Sequence, residues 1–309
     1  MTPDDHTIQE LMLDVGDGHT LYVHEWGNKG SQDVIFMLHG GPGGGSSDSY
    51  KQLFDPVRHR VIFHDQRGAG RSLPYGSLEH NTTQDLVADI NRIADKLGVN
   101  RFRLVGRSWG SCLALAYAQS QPGRVSGLIL GGVFTGSQRE IDWLDRGMFR
   151  IFFPDAWETY VSTVPEEHRA DPSAYHFERA LGDDADAAAE SGRAYETLAG
   201  SLMSLDDRPR SINPEGYDVA SIRTEIHYMQ HGCFLQERQI IDAASTLTMP
   251  VWLIQGRYDM ICPPATAYDL DRLLPDSTLV WTQEGHRTGH ETWNLIRTIL
   301  NQPHDTKGA

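Results

Sequence analysis

Three things are scarce in this chain, and each scarcity removes a class of protein. There are three cysteines in 309 residues, Cys112, Cys233 and Cys262, with no C-x-x-C, so neither a disulfide framework nor a zinc ribbon is predicted and a reducing compartment fits best. No apolar run approaches the ~18 residues that a membrane span needs, and residues 1–10 lack the basic start and apolar stretch of a signal peptide. Basic residues are outnumbered, 27 against 42 acidic, and the net charge of −15 would repel a nucleic-acid backbone or an anionic membrane over most of the surface. Internal repeats and low-complexity tracts are missing too. No G-x-x-x-x-G-K-[ST] occurs, and the glycine-rich stretch 40–45 does not open a dinucleotide-binding helix, so no phosphate cofactor is indicated. The expectation is a soluble cytoplasmic protein with no nucleic-acid or membrane partner; its oligomeric state is left open.

What is present is an alternation. Short runs rich in β-branched residues recur at 21–26, 34–38, 60–64, 102–105, 125–130, 251–255 and 278–282, and from Val34 onward they alternate with helical patterns, as a mostly parallel sheet requires. Gly16-Asp17-Gly18, between 11–15 and 21–26, predicts an antiparallel hairpin at the start. Residues 82–97 place Leu86, Ile90, Ile93 and Leu97 on one helical face behind a Thr82/Asp85 capping box. Residues 111–119 are apolar almost all round and stop at Gln121-Pro122-Gly123, which predicts a helix buried against the sheet. Between about Gly136 and Ala243 the alternation gives way to helical patterns, including the alanine-rich 184–205. An α/β core at 1–135 and 244–309 with an inserted helical cap at 136–243 is therefore expected.

Val105-Gly106-Arg107-Ser108-Trp109-Gly110-Ser111 is a G-x-S-x-G set between a predicted strand and a predicted buried helix. A serine on such a sharp turn needs glycines at both flanks and projects its hydroxyl at the C-terminal edge of the sheet. A hydroxyl is a weak nucleophile, so it needs a base, and the base needs an orienting acid; on such a sheet they follow in the order Ser, Asp/Glu, His. Asp259 follows run 251–255 and His286 follows run 278–282, in that order. His290 is the rival base; Asp269 and Asp271 are rival acids on a predicted helix. The His286/His290 spacing suits a metal, but the intervening residues lack the glutamate of the zinc-protease pattern, so no metal is expected. Cys112 reads as core packing. The glycine loop after His39 brings backbone close to the nucleophile, and the N–H groups of Gly41 and Trp109 are the candidate oxyanion donors.

These motifs together resemble the proline iminopeptidases of the α/β-hydrolase superfamily: HGGPGGG at 39–45, DQRGAGRS at 65–72, GRSWGS at 106–111, GRYDMICPP at 256–264 and EGH at 284–286, with FFPDAWE at 152–158 in the cap. The resemblance implies an α/β-hydrolase fold and release of an N-terminal residue, preferably proline, through an acyl-enzyme on Ser108, with no metal or organic cofactor. It also implies a substrate amine held by two cap glutamates. One matches Glu225; the other aligns with Ala199, with Glu196 as the nearest acidic neighbour. Around the proline pocket the family's R-G-I-F reads Gly131-Gly132-Val133-Phe134, and its H-W-Y-Y reads Asp142-Trp143-Leu144-Asp145. The Phe of its H-Y-F is Met229. Phe134 is kept, while an Arg, a Tyr and a Phe have become Gly131, Leu144 and Met229.

Losing one of two carboxylates facing an ammonium removes about 1.5–3 kcal/mol, tenfold to a hundredfold in binding. Weakened dependence on a free amine and a wider acyl pocket are thus expected, beneath a lid with Phe149, Phe152, Phe153, Trp157 and Glu225 facing an apolar cavity. Two alternatives stay open: an esterase or amidase acting on another small peptide-like metabolite, and a non-catalytic ligand-binding protein.

Overall fold

The computed structural model describes residues 6–203, 218–287 and 289–302. Its centre is an eight-stranded sheet ordered β1-β2-β4-β3-β5-β6-β7-β8. β1 (Thr7–Gly16) and β2 (His19–Gly27) form the expected hairpin, turning through left-handed backbone at Gly16, Asp17 and Gly18. β2 runs antiparallel to β4 (His59–His64), and every later pairing is parallel: β3 (Asp33–Leu38), β5 (Phe102–Ser108), β6 (Val125–Val133), β7 (Val251–Gly256) and β8 (Ser277–Thr282).

Side chains alternate between faces along a strand, and a parallel sheet covered on both sides buries both sets. Phe36, Leu38 and Leu104 pack on one face with Leu86 and Ile90 of α1 (Thr83–Lys96) and with α2 (Trp109–Ser120). Ile35, Met37 and Val105 pack on the other with Ile296, Ile299 and Leu300 of α10 (His290–Leu300). α1 carries both arms of its capping box, Thr82 and Asp85. α2 is buried continuously from Trp109 to Ala118, as its all-round apolar sequence demands, with Cys112 inside the core.

Between β6 and β7 lie α3 (Gln138–Asp145), α4 (Pro154–Ser162), α5 (Pro172–Leu181), α6 (Ala185–Ser201), α7 (Val219–Gln230) and the short α8 (Gln239–Asp242), with no strand among the described residues. Leu205, the end of the alanine-rich stretch, lies outside the described residues. This segment has its own core of Phe149, Tyr160, Phe177, Tyr195, Leu198 and Ile226. That corrects the expected lining: Phe149 belongs to this core, Phe153 and Trp157 pack against it, and Phe152 is 61% exposed on the outside. α9 (Pro264–Asp271) follows β7. No helix among the described residues is long and apolar enough to cross a membrane.

Candidate active site

β5 ends on Ser108 with φ 53° and ψ −128°, and α2 begins at the next residue. A non-glycine residue in that region is strained and is held only where its surroundings fix it. Here the fixing is steric: a Cβ on Gly106 would lie 2.2 Å from the Gly110 carbonyl oxygen, and one on Gly110 would lie 2.3 Å from that of Leu38. The Ser111 hydroxyl donates to the Ser108 carbonyl at 2.6 Å and accepts from the Phe134 N–H at 2.9 Å, tying the turn to the exit of β6.

The glycine loop comes to Ser108 from β3. Gly41 sits at φ 112°, where a Cβ would meet the amide nitrogens of Gly43 and Gly44 at 2.8 Å, so only glycine fits, and it shares a cavity with Ser108. The Gln66 N–H donates to His39 Nε2 at 3.0 Å, which leaves the His39 proton on Nδ1 to donate to the Gly40 carbonyl at 2.9 Å. Burial holds His39 below its usual range, so it stays neutral. Gln66 in turn donates to the His39 carbonyl and accepts from the Trp109 indole. One neutral network thus fixes the loop against the start of α2, where the Trp109 N–H is one of the helix-terminal donors that the helix itself does not use.

Asp259 follows β7. Its Oδ1 accepts from the N–H groups of Ile261 at 3.0 Å and Cys262 at 2.7 Å, and its Oδ2 lies 2.9 Å from His286 Nδ1. A carboxylate only accepts, so the His286 proton sits on Nδ1 and Nε2 carries a lone pair. His286 follows β8, and its backbone carbonyl accepts from Arg107 Nη2 at 2.8 Å, which binds the histidine loop to the residue preceding Ser108. A Cβ on Gly132, on β6 beside the serine turn, would lie 3.4 Å from both Asp259 Oδ2 and His286 Cε1. Among the described residues, Asp259, Cys262 and His286 are the group whose metal-capable atoms fall within 4.8 Å of one another, but the Asp259 and His286 atoms already face each other in a hydrogen bond.

The rivals lie elsewhere. His290 opens α10 beside a separate cavity with Gln52 and Trp293. Asp269 pairs with exposed Arg139, and Asp271 accepts from Ser277.

The cavity at Ser108 has a volume of about 50 Å³. Phe134, Leu144 and Met229 line it, with the acidic residues Glu140, Asp145 and Glu225; Ala199, on α6, does not. Burial pushes Glu225 up to about 7, opposed by the Tyr195 hydroxyl and reinforced by the Glu196 charge.

A sequence model of the α/β-hydrolase fold matches residues 33–291. A proline iminopeptidase of Xylella fastidiosa is 38% identical over 300 residues, covering 96% of this chain and 94% of that protein. One of Arabidopsis thaliana is 37% identical over 286 residues, covering 90% and 75%. The chain belongs to the proline iminopeptidase family. A solved proline iminopeptidase of Mycobacterium smegmatis superposes with a TM-score of 0.61 at 21% identity, over 94% of this chain and 97% of that one, a likeness of fold.

Against the proline iminopeptidase pattern two residues of this member stand out that the sequence did not single out. At Gly131, where the pattern has arginine, a Cβ would lie 3.2 Å from Arg107 Cγ and 3.3 Å from its Nε. Arg107 and Gly131 are partners in the β5/β6 register, so the space beside Gly131 is occupied by the Arg107 side chain from the neighbouring strand. The signal was available: an arginine inside the G-x-S-x-G, paired with a glycine where an arginine was expected. Arg107→Ala should lower kcat tenfold to a hundredfold, the worth of about 1.5–3 kcal/mol for a charge-assisted hydrogen bond, with KM within about twofold. Steady-state kinetics on one small arylamide check this; a change confined to KM would show that Arg107 serves binding instead. The second residue is Asp145.

Proposed function

We propose that this protein is a serine hydrolase that releases an N-terminal residue of proline type from small peptides and amides through an acyl-enzyme on Ser108. The observation that carries it is the Asp259–His286 hydrogen bond set beside the strained Ser108 turn and the glycine loop, in a chain matching proline iminopeptidases over nearly its whole length. His286 Nε2 takes the Ser108 proton as Oγ attacks the scissile carbonyl carbon. The N–H groups of Gly41 and Trp109 hold the oxyanion. His286 then gives its proton to the leaving amine, and water, activated by the same nitrogen, hydrolyses the ester to free acid and Ser108. No metal or organic cofactor takes part.

The helices α3 to α8 act as a lid that admits small substrates only. α7 lies directly on the glycine loop, where a Cβ on Gly43 would be 2.8 Å from the Ser221 carbonyl oxygen, and the Trp143 indole donates to the Met260 carbonyl at 2.8 Å beside Asp259. We place the activity in the cytoplasm, in keeping with three buried free thiols. Ala199 favours a second reading, an esterase or amidase indifferent to the substrate amine.

The test is kcat/KM for a prolyl arylamide against the cyclopentanecarbonyl arylamide, its neutral isostere, and against p-nitrophenyl esters with blocked amines. The peptidase reading predicts a clear preference for the prolyl compound; equal rates would favour the second reading. The preference should also fall from about pH 8 to about pH 6. Glu225 titrates near 7, so its negative charge, present above that pH, is lost as it takes up a proton below it. The ratio of the two substrates cancels effects common to both, and the groups facing Glu225 are Tyr195 and Glu196 of α6 and Asp145 of α3.

A further inference from the structure

Buried acids in this fold come with partners. Glu140 accepts from the N–H and hydroxyl groups of Thr135 and Ser137. Asp65 accepts from Ser46 and Arg71, and Asp89 takes Arg67 in a two-bond fork at 2.7 and 2.9 Å. Two acids carry a buried oxygen with no partner among the described residues, Glu196 and Asp145, and only Asp145 lines the cavity at Ser108. At the end of α3 Asp145 is 7% exposed, and its Oδ1 is the unpartnered atom. The adjacent guanidinium of Arg146 is turned to Asp142 at 2.8 Å. Burial first, and the Glu225 charge second, push the Asp145 carboxyl well above the ordinary carboxylate range, with Asp142 and Asp171 adding less and Arg146 opposing. A desolvated, unpaired acid is a cost to the fold that no structural contact here offsets.

What Asp145 faces is the cavity. It lines the same space as Ser108 and Glu225, and no arginine or lysine lines that space to neutralise either acid. Three acids line this small cavity beside a nucleophilic hydroxyl; Glu140 is held by Thr135 and Ser137, and the other two, Asp145 and Glu225, form a site for a cation attached close to the acyl carbon under attack, which for an N-terminal residue is its α-ammonium. We infer that Asp145 is a specificity-determining residue that holds the substrate ammonium together with Glu225, supplying from α3 the second carboxylate that Ala199 does not supply from α6. The family pattern has tyrosine at this position, so the carboxylate has moved rather than vanished. Glu196, the other acid near Glu225, does not line the cavity. The expected weakening of amine dependence is then reversed: an acylated or des-amino substrate brings no cation to hold the two acids ionised, forfeits both ion pairs and is disfavoured.

This inference rests on the peptidase reading, and the test separates them. The kcat/KM ratio of prolyl to cyclopentanecarbonyl arylamide is measured at about pH 8 in the unmodified protein, Asp145→Asn, Glu225→Gln and Glu196→Gln, with thermal melts of each. The ratio should fall roughly tenfold to a hundredfold in Asp145→Asn and in Glu225→Gln, and keep its unmodified value in Glu196→Gln. Asp145→Asn should also melt higher than the unmodified protein, because a neutral amide relieves a buried, unpaired acid, whereas a structural carboxylate would lower the melt when replaced. An unmodified protein that favours the amine and an Asp145→Asn that favours it equally would overturn the role of Asp145 alone. An unmodified protein with no preference would overturn the peptidase reading, and this inference with it. A drop confined to Glu196→Gln would move the second contact to α6 and overturn the inference as well.

Discussion

Ser108→Ala should lower kcat by about six orders of magnitude while leaving the fold intact, and His286→Ala should cost about as much on its own, since members of such a unit fail together. The expectation follows from placement. The serine is fixed by two glycine contacts that leave no room for a Cβ, and an alanine at 108 keeps that backbone while removing the only atom that attacks. His286 has its Nδ1 engaged by Asp259 and its carbonyl by Arg107, so Nε2 is the one base atom the loop presents. His290→Ala is the control and should stay within about twofold, because that residue stands beside a different cavity. Near-normal turnover in His286→Ala with loss in His290→Ala would reverse the assignment. Labelling by a fluorophosphonate, lost in Ser108→Ala, gives the same answer without a substrate and separates an enzyme from a binding protein.

Asp259→Asn should reduce kcat by about ten-thousandfold, although it changes one atom. Backbone N–H groups of Ile261 and Cys262 both point at Oδ1, so an asparagine must keep its carbonyl oxygen there. Its amide nitrogen then occupies the place of Oδ2, the oxygen nearer to His286 Nδ1 at 2.9 Å against 3.1 Å for Oδ1, and donates where the carboxylate accepted. The histidine proton is driven to Nε2, the atom that has to receive the serine proton, and the base is lost with the geometry intact. A pH–rate profile and an unchanged far-ultraviolet circular dichroism spectrum distinguish this from unfolding. A loss smaller than about tenfold would mean that His286 is oriented by something other than Asp259.

Much of this arrangement was readable in the sequence because it rests on local chemistry. The Gly16-Asp17-Gly18 hairpin, the Thr82/Asp85 box and the glycines flanking Ser108 are signals carried within a few residues, and each appears where it was expected. β5 and β6 nevertheless run past their apolar runs, to Ser108 and Val133, because Gly106-Arg107-Ser108 and Gly131-Gly132 are glycines and polar residues that interrupt the apolar pattern without ending the strand. The crossing of β3 and β4 in the sheet order, and hence the proximity of loops far apart in sequence, is a property of packing that no window of residues displays. Arg107 and Asp145 were passed over for the same reason. The meaning of Arg107 depends on its strand partner Gly131, and that of Asp145 on what it lacks once α3 is docked. The aromatic residues of the 136–243 segment misled: composition could not tell a side chain lining the cavity from one such as Phe149 filling the segment's own core.

The covalent intermediate tests the central claim most directly. The unmodified protein, mixed with prolyl p-nitrophenyl ester and acid-quenched within milliseconds, is analysed by intact mass and peptide mapping. The account predicts an adduct of one prolyl group on the peptide that contains Ser108, a matching burst of p-nitrophenol, and neither in Ser108→Ala. Steady turnover with no adduct, or an adduct elsewhere with Ser108→Ala still active, would contradict it.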